Sequence, residues 1–348
     1  MNCFCTTVTA SHFFQARALA RSLRQSGNPE PLHVLLLGAR RSDVPADPNL
    51  RVLEWDEVGG AAPALMPYYF DAFEFCNAAK PFLVAHLFAR GGATKVVYLD
   101  ADLMIVDRFD RIWRELDEIS LILTPHHLQP PARTFRHTNE VDVVDLGFLN
   151  GGFTAWRAGA ATTAILAWMC DRFPVYGFYR HLGMAADQKL LPLVLAYFPR
   201  DVRISHSPAL NIAYWNAQER PVRLDGATWR CGDENVLFFH LSGYKLSQPD
   251  LVCAYVSGAA NAALLAAAPW LRDLAAQYRA LLEPCIAGYT PPPYAFTRYD
   301  GVHLNSDFRR LLFRRGRLSR TDRQFWRIWL VQTLRMLKRL ATGVRPLR

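Results

Sequence analysis

The chain has 348 residues, 51% of them hydrophobic and 20% charged, a balance that excludes intrinsic disorder and leaves ample apolar mass for a core. The net charge of +9 is unevenly placed: the segment 307–348 carries 13 Lys/Arg against two Asp/Glu, which leaves the body slightly acidic. Without a basic footprint on that body, nucleic acid is excluded as a partner.

Cys3–Thr9 is a short β-rich run in which Cys3 and Cys5 alternate, so both are expected as small core side chains on one face of a strand. Ser11 is placed to cap a helix whose buried face is Ala16, Leu19, Ala20 and Leu23, stopped by Gly27-Asn28-Pro29. Leu32–Leu37 and Arg51–Trp55 have strand length and composition, and strand–helix–strand order implies a parallel sheet. Ala78–Arg90 has helical periodicity and ends at Gly91-Gly92, ahead of the apolar strand Lys95–Leu99. Leu121–Thr124, Phe148–Trp156 and Asn235–His240 are further strands, and Gly159–Cys170 a helix. The alternation predicts an α/β domain over 1–255, followed by a helical extension over 256–300 and a basic amphipathic tail over 301–348.

The seven cysteines are scattered, without a C-x-x-C pair or zinc spacing, so reduced thiols are expected. No stretch reaches the roughly 18 apolar residues of a membrane span. The N-terminus lacks a basic segment followed by a long apolar one, and a cytoplasmic location is expected.

Two signals carry chemistry. Asp100-Ala101-Asp102 directly follows the strand ending at Leu99, and ligands of open α/β sheets collect at the carboxyl ends of strands. Two carboxylates one residue apart can both reach one divalent cation, and oxygen ligands suit Mn²⁺ or Mg²⁺. The second signal is His240-Leu-Ser-Gly243-Tyr-Lys245. The imidazole offers a nitrogen ligand, the glycine lets backbone N–H groups approach a phosphate, and the ammonium offsets diphosphate charge. The segment contains neither a Walker loop nor a G-x-G-x-x-G after a strand, and no G-x-S-x-G elbow occurs in the chain.

Tyr98-Leu99-Asp100-Ala101-Asp102 together with His240-x-x-Gly243-x-Lys245 resembles glycosyltransferase family 8, of the GT-A fold. Three further stretches keep the family's order: Leu149-Asn150-Gly151-Gly152-Phe153, Asp187-Gln188, and Lys80 on the helix before the acidic strand. The chain departs from the family at Leu149, Lys189, Leu246 and the loop Thr9-Ala10-Ser11-His12. The resemblance implies a retaining transfer from a nucleotide-diphosphate sugar, a UDP-sugar favoured, to a glycan or lipid-linked acceptor. It implies a Mn²⁺ (or Mg²⁺) held by Asp100, Asp102 and His240, with Gly243 and Lys245 on the diphosphate. By the same resemblance Asn150, Gly151 and Asp187 face the donor sugar, Gln188 lies near the reacting carbon, and Lys80 contacts sugar or phosphate. Thr6, Thr7 and Thr9 would hold base and ribose, and Ala101 would line the donor site. Nucleotidyl transfer onto a sugar phosphate, or nucleotide-sugar binding without catalysis, are the competing functions.

His126-His127 could line the acceptor side, although loop histidines near Pro125 and Pro130 are more often solvated, and Tyr214 or Trp215 could stack on a sugar or pack in the core. Asp142 and Asp145 are expected in a turn. In the tail, Phe308–Leu340 interleaves Arg309, Arg310, Arg314, Arg315, Arg317 and Arg320 with Leu311, Leu312 and Phe313. Phe325, Trp326, Ile328, Trp329, Leu330, Leu334 and Leu337 then form an apolar band beside Arg327, Arg335, Lys338 and Arg339. This pattern fits either a helix lying in an anionic membrane surface, on the inner face of the cell membrane, or a helix packed on the protein's own body with an Arg-rich solvated face.

Overall fold

A computed structural model describes residues 1–60, 62–131, 140–178 and 187–342. The predicted α/β architecture is present. Strands β1 (Asn2–Thr9), β2 (Leu32–Leu37), β3 (Leu50–Glu54), β4 (Lys95–Leu99), β6 (Leu121–Pro125), β7 (Leu149–Arg157) and β8 (Val202–Ile204) form one sheet in the order β3-β2-β1-β4-β7-β6-β8. β1 to β4 are mutually parallel, whereas β7 runs antiparallel to both β4 and β6. The central strands are apolar on both faces because helices cover both. Cys3, Cys5, Val96 and Tyr98 pack under the helices Ala72–Ala89 and Ala160–Tyr176, and Phe4, Val8, Val97 and Leu99 under the helix Phe13–Gln25. All seven cysteines are free, and Cys3 and Cys5 share a face as expected.

A second, three-stranded sheet places the late histidine. β13 (Phe238–His240) lies between β5 (Leu103–Ile105) and β9 (Ile212–Ala213), with His240 opposite Leu103 and Ala213. The predicted strand Asn235–His240 is thereby divided: β12 (Glu234–Asn235) pairs instead with β11 (Thr228–Cys231), itself paired with β10 (Val222–Asp225), in a separate small sheet. Phe153 of β7 stacks on Phe238 of β13 with ring centroids 5.2 Å apart. That buried aromatic contact joins the two sheets, and the residues flanking it, Gly152 and His240, meet beside the acidic pair.

Several boundaries differ from expectation for local reasons. Ser11 does not cap the first helix. Its hydroxyl bonds Thr9 Oγ1 (2.9 Å) and His12 Nδ1 (2.9 Å) in a 3₁₀ turn over Ala10–His12. The helix ahead of β4 begins earlier, at Ala72, because Asp71 and Glu74 form a reciprocal capping box. Pro174 is accommodated in the helix Ala160–Tyr176, which outruns the predicted Cys170. The helical extension expected over 256–300 holds two helices, Gly258–Ala267 and Trp270–Ile286, broken at Pro269, which has no N–H to donate. Asp142 and Asp145 lie in a helix, Glu140–Leu146, not in a turn.

The basic tail is divided as well. The helix Ser306–Arg315 buries Phe308, Leu311 and Leu312 against the body. Arg309, expected among membrane-facing cations, is instead buried. Its guanidinium donates to the carbonyls of Tyr68 (2.7 Å), Phe296 (2.8 Å) and Phe70. The next helix, Arg323–Thr342, buries Phe325 against Phe308 but leaves Trp326, Trp329, Leu330, Val331, Leu334 and Leu337 exposed. The side chains of Arg335, Lys338 and Arg339 lie outside the described residues. Among the described residues no helix is long and apolar enough to cross a membrane.

Candidate active site

The carboxyl end of β4 delivers Asp100, and the sharp turn into β5 delivers Asp102. Pairing of β13 with β5 brings His240 onto the same spot: its Nε2 is 3.2 Å from Asp102 Oδ1, and Leu241 N–H donates to Asp102 O at 2.9 Å. One ligand atom from each of Asp100, Asp102 and His240 lies within 4.8 Å of the other two. Burial alone would raise the Asp102 pKa, yet the charge and hydrogen bond of His240 outweigh it and hold the carboxyl below its ordinary value. Gly152 forms the floor. A Cβ there would stand 2.5 Å from His240 Cε1, 2.9 Å from Asn150 Oδ1 and 3.0 Å from Asp100 Oδ2. Two carboxylates, one imidazole and a cradle that only glycine leaves open fit a divalent cation such as Mn²⁺ or Mg²⁺.

Beside this triangle lies a buried ionic knot. Lys80, on the fully packed face of the helix Ala72–Ala89, donates to Asp187 Oδ2 (2.9 Å) and Gly151 O (3.0 Å) and sits 3.2 Å from Asp100 Oδ1. Burial would lower the Lys80 pKa, but the Asp100 and Asp187 carboxylates win, so the ammonium stays charged. Tyr98 donates to Asp100 Oδ1 at 2.8 Å, and Thr7 Oγ1 bonds the Tyr98 hydroxyl at 2.9 Å. The three carboxylates Asp100, Asp102 and Asp187 thus face one fixed cation, leaving local negative charge for a second.

A neutral polar belt closes the opposite side. The Asn150 side-chain amide donates to Gln188 Oε1 (3.2 Å) and meets His126 Nε2 at 3.1 Å, while its Oδ1 accepts from Gly152 N–H (2.9 Å). Gln188 Nε2 donates to Leu146 O at 3.3 Å. Burial pushes the His126 imidazole down to about 4, so it is neutral near pH 7. His126 therefore belongs to the site. Trp215 is buried edge-on to both His126 and His240, a packing role in place of an open sugar platform.

The other predicted residues are placed as follows. Thr6 is buried within β1, and Thr7 spends its hydroxyl on Tyr98 and the Cys76 carbonyl. Thr9, at the end of β1, bonds Ser11. Ala101 is packed into the core between the two aspartates. Gly243 has φ +76, and a Cβ there would lie 2.8 Å from Cys253 Sγ and the Tyr255 ring. Lys245 is exposed and forms no ion pair among the described residues. Lys189 pairs with Asp145 at 3.3 Å, away from the acidic triangle's ligands. Three contributors have no role assigned from sequence: Tyr98, the hydrogen-bond support of Asp100, and Gly152, the cradle, both inside the quoted motifs, and Asn211, outside them, whose Oδ1 lies 3.1 Å from His240 Nδ1.

No family model matches this chain. Among curated proteins it is similar to the uncharacterized protein YfnF of Bacillus subtilis (strain 168), 25% identical over 257 residues, which cover 70% of this chain and 82% of that one. Among solved structures it is similar to the galactosyltransferase LgtC in complex with donor and acceptor sugar analogs, at TM-score 0.46 and 14% identity over 82% of this chain and 96% of that one. It is also similar to mouse xyloside xylosyltransferase 1 (TM-score 0.40, 16% identity, 69% and 97% covered). The glycosyltransferase GlyE of Streptococcus pneumoniae TIGR4 gives TM-score 0.44 at 14% identity, with 84% and 66% covered. Each likeness is partial and distant, so the chemistry rests on the residues of the site itself.

Proposed function

We propose that this protein is a metal-dependent glycosyltransferase of GT-A architecture that moves a sugar from a nucleotide-diphosphate sugar, a UDP-sugar favoured, to a glycan or lipid-linked acceptor with retention. The observation that carries the reading is the meeting of Asp100, Asp102 and His240 from two sheets beside the Lys80–Asp187 pair. When bound, Mn²⁺ (or Mg²⁺) would supply positive charge where the departing diphosphate gathers negative charge. The chain's own part is to stabilise and to orient. Lys245, exposed and unpaired with any described carboxylate, neutralises diphosphate oxygens, and backbone donors around Gly243 approach them closely. Asn150, Gly151 and Asp187 hold the sugar hydroxyls, and Gln188 is set by Asn150 and Leu146 to lie against the anomeric carbon. The bond between that carbon and the diphosphate oxygen breaks with its electron pair on oxygen. The acceptor hydroxyl supplies the new oxygen, and its proton passes to the departing diphosphate.

Incubation of the full chain with UDP-, GDP- and CDP-sugars and Mn²⁺ is expected to release a nucleoside diphosphate. EDTA is expected to cut the rate at least about 100-fold, and Mn²⁺ to restore it. A rate indifferent to chelation contradicts the metal centre, and pyrophosphate as product contradicts glycosyl transfer.

The reading extends to location. The exposed face of Arg323–Thr342 carries two Trp and four aliphatic side chains, flanked by exposed Arg314, Arg315, Arg317, Arg320, Arg323 and Arg327. Apolar bulk beside cations fits the headgroup region of an anionic bilayer, where a lipid-linked acceptor would be met on the cytoplasmic side. Because Phe308 and Leu312 hold the tail to the body, the informative variant keeps the helix: Trp326→Ser with Trp329→Ser. Sedimentation with phosphatidylglycerol vesicles should weaken about tenfold or more, with the unfolding temperature unchanged. Undiminished sedimentation removes the membrane role.

A further inference from the structure

Asn211 is the most constrained polar residue near the site. It is fully buried, and its backbone has φ 53, the left-handed region that Asn tolerates better than most residues with a Cβ. Asn216 fixes that turn from inside: its amide donates to Asn211 O (2.9 Å) and to His126 O (2.9 Å), and its Oδ1 accepts from Ala213 N–H (2.9 Å). The turn leads directly into β9, whose Ala213 is registered against His240. The Asn211 side chain therefore projects onto the imidazole, with Oδ1 3.1 Å from Nδ1, while its Nδ2 has no partner among the described residues.

That geometry has a chemical consequence. A neutral imidazole carries one proton, and whichever nitrogen holds it cannot bind a cation. Both nitrogens face acceptors, Nε2 the Asp102 carboxylate and Nδ1 the Asn211 carbonyl. Were a cation to take the proton's place at Nε2, that carbonyl would keep the remaining proton at Nδ1 and leave the Nε2 lone pair for the metal. The side chain accepts this arrangement although it strands the buried Nδ2, and the left-handed backbone is the means by which a residue so near β9 reaches the ring.

We infer that Asn211 is a positioning residue that fixes the His240 tautomer and ring orientation, making Nε2 the third ligand beside Asp100 and Asp102. The inference rests on the metal-centre reading above. It concerns how that centre is prepared and adds no contact to substrate.

The test is Mn²⁺ affinity, measured on the full chain with the metal alone by calorimetry and by the electron paramagnetic resonance signal of free Mn²⁺. Asn211→Gly keeps the left-handed backbone and deletes the acceptor, and its affinity should fall about 10- to 100-fold. Asn211→Asp keeps an acceptor oxygen at the same place and should bind within about threefold of wild type or more tightly, a rescue that a purely structural role would not give. Wild-type affinity in Asn211→Gly overturns the inference. So does a tenfold or greater loss in Asn211→Asp, which decides the matter even where Asn211→Gly lacks a cooperative unfolding transition. If wild type binds no Mn²⁺, or His240→Ala binds it equally well, the metal-centre reading itself fails. If His240→Ala loses binding and Asn211→Gly does not, only the inference about Asn211 fails.

Discussion

Gly152→Ala is expected to abolish Mn²⁺-dependent transfer as thoroughly as Asp102→Asn does, by at least about a thousandfold, although it removes no ligand. The added methyl has nowhere to go: its position lies 2.5 Å from His240 Cε1, 2.9 Å from Asn150 Oδ1 and 3.0 Å from Asp100 Oδ2. None of those atoms is the end of a free side chain. His240 is held by Asn211 and wedged against Trp215, Asn150 is held by Gly152 N–H and Gln188, and Asp100 is held by Tyr98 and Lys80. Something in the triangle must shift, by about an ångström, enough to separate ligands that converge on one cation. Asp102→Asn reaches the same end without a steric change, exchanging the charged oxygen that faces His240 Nε2 for an amide. Both proteins should keep the far-ultraviolet circular dichroism of wild type. Nucleoside diphosphate release in the presence of Mn²⁺ measures the loss, and two variants that each retain a tenth of wild-type activity would remove the proposed centre.

The parts of this site that were legible in the sequence are those whose chemistry is local. Asp100 and Asp102 announce themselves because one strand end carries both, and the unbroken apolar run Val96–Leu99 marks that strand as buried. Lys80 lies on a helix whose periodicity is readable, although its start at Ala72 depends on the reciprocal cap of Asp71 and Glu74. What sequence periodicity does not encode is which short strands pair. Phe238–His240 and Glu234–Asn235 are neighbours in the chain but belong to different sheets, and only the pairing with β5 brings His240 to Asp102. Asn211 has no motif, because its role depends on a left-handed turn fixed by Asn216 and by a carbonyl of the distant His126. The tail shows the same division: its amphipathic period is readable, but Arg309 is buried because three main-chain carbonyls from elsewhere converge on it.

Lys80→Met should produce the largest loss of stability of any single change at the site, about 3–5 kcal/mol in urea unfolding without metal, together with a loss of transfer beyond about 100-fold. The ammonium is the fixed cation between Asp187 and Asp100, and Met fills nearly the same volume, so the deficit reports charge more than packing. Removing one member of a buried pair leaves the other uncompensated, whereas removing both is far milder. Lys80→Met with Asp187→Asn should therefore recover at least half of the deficit, while Asp187→Asn alone should not exceed it. Acidity provides a second check. Burial already pushes the Asp187 pKa above its ordinary value, and loss of Lys80 removes the main opposing influence. A carboxyl whose folded pKa lies above its unfolded one destabilises the fold once pH passes the unfolded value, and the penalty grows until pH reaches the folded pKa. The deficit of Lys80→Met relative to wild type should accordingly be smaller at pH 5 than at pH 8. Unfolding within about 0.5 kcal/mol of wild type at pH 8, or a double variant no better than Lys80→Met, would mean that solvent already neutralises these carboxylates and that the knot beside the acidic triangle is not an ionic one.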